Sequence, residues 1–170
     1  MSSIVRKGFV GLVMLSLVAG LGSAQINRSS VYAPDFESES ATGSKLRLSA
    51  YRGKYVLLDF WATWCSPCKA AVPRLVRLQE QYRNHGLVVI GISSDETGWA
   101  AVKPFIREMQ INYPIVLRNE SVRSGYDDIE VIPTFFLLDR EGHILRRAQG
   151  TRGFNDIERE VKTRVGGGGG

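Results

Sequence analysis

Residues 59–69 read DFWATWCSPCK and hold both cysteines of a 170-residue chain. At this spacing Cys65 and Cys68 can close into a disulfide and open again, and four chemistries compete for them. A structural bridge closing so short a loop would remove little entropy from the unfolded chain and stabilise little. A metal site needs about four ligands, and His85 and His143, the only histidines, stand at no regular ligand spacing. A covalent haem site wants histidine after the second cysteine, where Lys69 stands. A redox dithiol wants a buried strand that delivers the first cysteine to the start of a helix.

The flanking residues supply that arrangement. KYVLLDFWA (54–62) is an almost continuous apolar run, as expected of a strand buried on both faces. Apolar residues at helical spacing follow through Val72, Leu75, Val76 and Leu78, up to the stop signal Asn84-His85-Gly86. A thiol at a helix start meets unpaired backbone N–H groups and the positive end of the helix dipole, both of which favour the thiolate. Cys65 is therefore the expected nucleophile. Cys68, one turn further in and shielded by Pro67, is the expected resolving thiol that attacks a mixed disulfide and releases the client. Pro67 suits the first turn, where its missing N–H is no loss.

The remaining pattern alternates strands and helices. KLRLSA (45–50) reads as a strand, separated from KYVLLDFWA by the turn signal Arg52-Gly53. LVVIGISS (87–94) reads as another buried strand. Asp95 to Gln110 reads as a helix in which Pro104 marks the true first turn or a kink. YPIVL (113–117) is a short strand and Glu120 to Tyr126 a short helix. Residues 130–150 are two strands joined at Arg140-Glu141-Gly142, and Phe154 to Val165 is an amphipathic helix. This order predicts one α/β domain around a central mixed sheet. His85 and His143 are expected to be exposed turn residues.

These motifs together resemble the thioredoxin superfamily, in its exported TlpA/ResA-like branch. The resemblance rests on FWATWCSPCK, Pro73 further along the helix, the opening APDF (33–36), the inserted strand–helix pair and VIPT (131–134). It implies a thioredoxin fold: a central mixed β-sheet flanked by helices, with extra N-terminal strands and an inserted strand–helix unit. It also implies thiol–disulfide exchange with no cofactor beyond the Cys65–Cys68 disulfide, and a cis peptide between Ile132 and Pro133. The backbone of Ile132 would pair with an extended client segment, and Trp64, Ser66, Pro67, Pro133 and Thr134 would complete the client site. Trp64 could offer an apolar landing surface, although packing against the strand is the alternative.

Asp59 occupies the place of the buried acid of thioredoxins. In an apolar setting its pKa would rise, and it could take the proton of Cys68; the alternative is an edge residue bonded to water. One departure stands out. Members of this branch often carry glutamate three residues after the second cysteine, where this chain has Ala71, which weakens transfer of a specific cytochrome c maturation role. The expected partners are disulfide-bearing exported proteins as clients and a membrane thiol-reductant donor of the DsbD/CcdA type.

Composition fits this reading. With 44% hydrophobic and 23% charged residues the chain can bury a core. Arg6 and Lys7 precede an apolar stretch of about 15 residues and then Gly22, Ser23 and Ala24, the order of a secretory signal. The stretch is short for a membrane span of about 20 residues, so residues 1–24 are expected to be a signal peptide or, failing cleavage, an anchor. Export would place the dithiol where disulfides persist. Loss of Arg6 and Lys7 would take the net charge from +5 to +3. No basic run with interleaved aromatics suggests nucleic acid. Residues 25–32 read as a linker, 33–165 as the domain and 166–170 as a flexible glycine tail.

Four other functions fit parts of the pattern. A disulfide-donating oxidase would differ only in redox poise. A peroxiredoxin has a Thr-x-x-Cys pattern, but the residue three before Cys65 is Ala62. A copper-handling module tends to use CxxxC with a distant histidine. An assembly or holdase protein would carry the dithiol as a vestige.

Overall fold

The structure is a computed structural model and describes residues 31–167. Residues 1–30, with the expected signal peptide and most of the expected linker, and residues 168–170 lie outside the described residues. Seven strands and four helices follow one another. They are β1 (Glu37–Glu39), β2 (Lys45–Arg47), β3 (Tyr55–Trp61), α1 (Ser66–Tyr82), β4 (Leu87–Ser93), α2 (Trp99–Glu108), β5 (Ile115–Leu117), α3 (Glu120–Arg123), β6 (Thr134–Leu138), β7 (Ile144–Gln149) and α4 (Gly150–Arg164).

Five strands form one sheet in the order β5-β4-β3-β6-β7. β3 runs parallel to β4 and antiparallel to β6, so the sheet is mixed and β3 lies at its centre. Burial on both faces explains why β3 and β4 read as apolar runs rather than alternating ones. Alternate residues still separate two cores. Leu57, Trp61, Val89, Phe135 and Leu137 pack on one face with Val72, Leu75 and Leu78 of α1 and Phe154, Ile157 and Val161 of α4. Val56, Leu58, Phe60, Ile90, Ile92, Phe136 and Leu138 pack on the other with Phe36, Leu46, Leu48, Val122 and Tyr126. Asp59 shares the parity of Leu57 and Trp61, which puts its carboxyl on the α1 face.

The small β1–β2 hairpin guards an edge of the sheet. Ala41 N–H donates to the Ile115 carbonyl at 2.9 Å, and Ser40 bridges Val116, so β5 is not left open to pairing with another chain. KLRLSA is a strand only as far as Arg47. Leu48, fully buried, opens a 3₁₀ turn; its N–H bonds Phe36 and that of Ser49 bonds the Asp35 carboxylate, which turns the chain off the hairpin. The strand reading missed this because Leu48 continues the alternation in sequence. Val31 and Tyr32, read as the end of a linker, are tied to the body: Ile144 N–H donates to the Val31 carbonyl at 2.8 Å, and the Tyr32 ring packs on His143.

α1 holds despite two prolines. Pro67 stands in its first turn, where no N–H is needed. Pro73 lies inside the helix, a position that costs about 3 kcal/mol relative to alanine. Val72, Leu75 and Leu78 are at most 2% exposed and contribute about 1.5–3 kcal/mol each, which outweighs it. The helix gives way to a 3₁₀ turn and stops at Gly86, whose φ of 90° is left-handed, as the Asn-His-Gly signal implied.

Two helix starts differ from the sequence reading. α2 begins at Trp99 rather than Asp95, and Pro104 is inside it rather than in its first turn. The residue before it, Gly98, has φ 57° and supplies no side-chain cap, while the Asp95 carboxylate is bonded elsewhere. α4 begins at Gly150, four residues before Phe154; its first turn, Gly-Thr-Arg-Gly, carries no apolar period to read.

Gly91 of β4 has no room for a side chain within the sheet. A Cβ there would meet Ile115 Cδ1 at 2.4 Å and the Trp61 indole nitrogen at 2.9 Å. Gly91→Ala is therefore expected to destabilise the protein by about 1–3 kcal/mol, the cost of overpacking a filled core, read as a lower urea midpoint at unchanged m-value. An unshifted midpoint would mean the contacts yield freely.

Candidate active site

β3 ends at Trp61, and only the buried Ala62, Thr63 and the exposed Trp64 separate it from Cys65. Cys65 is the N-cap of α1, in extended backbone conformation, and its sulfur accepts the Cys68 N–H at 3.2 Å. The sulfur thus occupies the place usually filled by a serine or aspartate oxygen at a helix start. Cys65 and Cys68 are joined in a disulfide. Both are nearly closed to solvent, at 5% and 1% exposure, so helix position rather than exposure distinguishes them.

The loop before β6 completes the face. The Ile132–Pro133 peptide is cis, and the Ile132 carbonyl oxygen lies 3.8 Å from Cys65 Sγ. Pro133 is buried and Ile132 half-buried. Gly150 N–H donates to the Pro133 carbonyl at 2.8 Å, which fastens the start of α4 to this loop. Thr134 is wholly buried and donates its hydroxyl to the Val131 carbonyl at 2.5 Å. Its side chain is therefore turned into the loop, and only its main chain is left to face the dithiol side. Ser66 and Pro67 are exposed.

Trp64 is 67% exposed and Val131 50%, one on each of the two loops that meet at Cys65. The structure favours the surface reading of Trp64 over packing. Val131 was missed, because an apolar residue ahead of Ile-Pro reads as the start of the buried strand. Its carbonyl accepts the Thr134 hydroxyl while its side chain faces out.

Asp59 is 2% exposed on the central strand, and its Oδ1 has no hydrogen-bond partner among the described residues. This decides against an edge carboxylate bonded to water. Burial pushes its pKa from 3.8 up to about 8. Tyr113 is buried as well, and burial together with the Asp59 carboxylate holds its hydroxyl well above the usual tyrosine range. The Trp61 indole nitrogen is also buried, without a hydrogen-bond partner among the described residues.

Ala71 is 6% exposed. It lines a cavity of about 100 Å³ with Pro67, Ala70, Arg74, Pro133 and Phe154, where glutamate would bring a charge. Arg74 spans α1 and α4, pairing with Glu158 and lying over the Phe154 ring. His85 is exposed, but His143 is half-buried because Tyr32 covers it. Asp139, Glu141 and His143 come together at the β6–β7 turn. The Asp139 carboxylate is taken up there by the N–H groups of Glu141 and His143 and by the His143 ring, a turn network remote in sequence from the thiols.

The comparisons with known proteins agree with this geometry. Residues 31–147 match the AhpC/TSA family. The chain is 35% identical over 132 residues to the thiol-disulfide oxidoreductase ResA of Geobacillus kaustophilus, covering 77% of this chain and 75% of the relative. The chain belongs to this family of thiol–disulfide oxidoreductases. ResA of Bacillus subtilis is 32% identical over 119 residues, covering 70% of this chain and 66% of the relative. Among solved structures, a thiol:disulfide interchange protein of the thioredoxin family from Chlorobium tepidum superposes with a TM-score of 0.72 at 27% identity, covering 80% of this chain and 97% of the other. A thiol-disulfide oxidoreductase from Bacteroides fragilis gives 0.64 at 31% identity, covering 76% and 98%. The protein is a thioredoxin-fold thiol–disulfide oxidoreductase of the ResA type.

Asp59 makes stability depend on pH. Between about pH 4 and about pH 8 the folded protein keeps a proton that the unfolded chain has released, so this contribution is full below that window and is lost as pH rises through it. The slope approaches about 1.4 kcal/mol per pH unit. In the disulfide form neither cysteine titrates. Urea unfolding of oxidised wild type and Asp59→Asn at pH 5 and pH 8 is expected to show wild type losing stability relative to the variant at the higher pH. A constant difference would mean that Asp59 ionises normally.

Proposed function

We propose that this protein is an exported reductase of client disulfides, with Cys65 as nucleophile and Cys68 as resolving thiol. The observation that carries the reading is the Cys65 sulfur at the N-cap of α1, accepting the Cys68 N–H beside the Ile132 carbonyl. Charge on that sulfur is stabilised by the amide and by the helix dipole, and the same position opens toward the exposed Trp64 and Val131.

The exchange balances in two steps. The Cys65 thiolate of the reduced protein attacks one sulfur of a client disulfide; that S–S bond breaks, and the other client sulfur leaves as a thiolate. Cys68 then gives up its proton and attacks Cys65 in the mixed disulfide, freeing the second client thiol and forming the Cys65–Cys68 bond. Two electrons pass to the client. Asp59, buried on the α1 face of the sheet, takes the Cys68 proton; an acid raised to about 8 suits transfer near neutral pH. A membrane thiol donor of the DsbD/CcdA type returns the two electrons, and no further cofactor takes part.

The main chain at Ile132 offers edge pairing to an extended client segment, which fits permissive recognition, with Trp64 and Val131 as apolar flanks. Export follows from the signal-like order of residues 1–24 and from the stability of disulfides outside the cytosol. No described helix is long and apolar enough to cross a membrane. With Ala71 in place of an acid, we assign general reduction of exported proteins, cytochrome c maturation included, rather than a dedicated haem role.

Equilibration of the dithiol against a thiol buffer tests the direction. A reduction potential at or below about −270 mV, the level of thioredoxin, is expected; a value near about −120 mV would make the protein a disulfide donor. Cys65→Ser is expected to abolish disulfide reduction, whereas Cys68→Ser should accumulate a client-linked mixed disulfide on non-reducing gels. Activity that survives Cys65→Ser would support a holdase. Asp59→Ala is expected to slow exchange by about 10²-fold without abolishing it, with a changed pH profile; an unaltered profile removes Asp59 from the proton path.

A further inference from the structure

A second carboxylate is bonded directly to the loop that carries the dithiol. Thr63 lies two residues before Cys65. Its main-chain N–H reaches both oxygens of Asp95, at 3.0 and 3.3 Å, and its hydroxyl donates to Oδ1 at 2.5 Å. From the other side the Ser93 hydroxyl donates to Oδ2 at 2.8 Å and accepts the Asp95 N–H at 3.1 Å. The neighbouring Ser94 N–H bonds the Trp61 carbonyl at 2.9 Å. The end of β4 and the end of β3 are thus joined through one half-buried side chain, by hydrogen bonds to a charged acceptor, the stronger kind.

The ordinary role for an aspartate just ahead of a helix is to cap it. Asp95 does not do so: α2 starts at Trp99, its N-cap is Gly98, and no side chain caps it. Only the Asp95 carbonyl serves that segment, accepting the Gly98 N–H at 3.0 Å. The carboxylate instead faces a residue 32 positions earlier. Thr63 follows the fully buried Ala62, and the Cys65 N–H closes the turn on the Ala62 carbonyl at 3.2 Å. With Ala62 fixed by packing and Thr63 by Asp95, the direction in which Trp64 and Cys65 leave the sheet is set.

We propose that Asp95 is a positioning residue for the dithiol, holding the Ala62–Cys65 turn so that the Cys65 sulfur stays on the N-terminus of α1. It acts through Thr63 and touches neither sulfur nor client. The inference rests on thiol exchange by Cys65, not on the direction in which the pair works. It also separates from a simple charge effect by sign. Loss of an anchor moves the thiolate away from its N–H donor and raises the pH at which Cys65 reacts, whereas loss of a nearby negative charge lowers it.

The test uses the reduced full-length protein and its variants Asp95→Ala, Asp95→Asn, Thr63→Ala and Thr63→Ser. Two readouts are taken: the rate of exchange with an aromatic disulfide at pH 7, and the pH profile of Cys65 alkylation by iodoacetamide, located by mass spectrometry. Both Asp95 variants are expected to exchange about 10- to 100-fold more slowly with the alkylation midpoint moved to higher pH. Thr63→Ala should move it less, in the same direction, because the main-chain N–H bond survives, and Thr63→Ser should restore wild-type behaviour. Should Asp95→Ala fail to fold, the Thr63 pair and Asp95→Asn decide. Folded variants with unchanged rate and profile, or a midpoint that moves down, would overturn the inference while leaving thiol exchange intact. A wild type that fails to exchange at all would overturn both.

Discussion

The molecule depends on one junction, where a strand buried in the middle of a sheet hands over to a helix whose first backbone donors are still unpaired. The Cys65 sulfur sits at that junction and accepts the Cys68 N–H. A helix start is one of the few places in a folded protein where a negative charge is favoured by the backbone itself. The strand is buried and the helix begins almost at once, so the fold holds the Cys65 sulfur at the end of its most constrained element, just under the surface.

The neighbouring elements limit how that thiol can move and what can reach it. The cis Ile132–Pro133 loop brings a main-chain carbonyl to 3.8 Å from the sulfur, Thr134 fastens the loop from beneath, and Gly150 ties α4 to Pro133. On the other side Asp95 binds Thr63. Rigid support on both flanks with two exposed apolar residues, Trp64 and Val131, suits a site that holds the sulfur still and asks little of its client beyond an accessible disulfide and an extended segment.

Asp59 shows the opposite balance. A carboxyl on the central strand with an unpartnered oxygen is costly to ionise, and burial raises its pKa to about 8. Replacing it with an apolar residue would remove that cost. Packing alone therefore gives no reason for a carboxyl at this position, and perturbed buried acids of this kind are concentrated at functional sites. Ala71 adds no acid to the neighbouring cavity, and Glu158 on α4 is already paired with Arg74.

By itself the sequence determined the central features. The apolar runs of β3 and β4, the helical spacing of α1, the Asn-His-Gly stop and the CSPC pair all follow from local preferences and periods that a short window contains. The dithiol was legible because its two cysteines stand close in the chain, and the cis Ile132–Pro133 peptide because the VIPT segment resembles that of the family. What only the tertiary structure decided involves partners far apart. Leu48 leaves the β1–β2 hairpin because Phe36 and Asp35 take its neighbourhood, and α2 starts late while Asp95 is bonded to Thr63. His143 is half-covered for a similar reason, under the ring of Tyr32. Burial and hydrogen-bond partners across tens of residues are settled by the fold as a whole, and no local pattern in the chain encodes them.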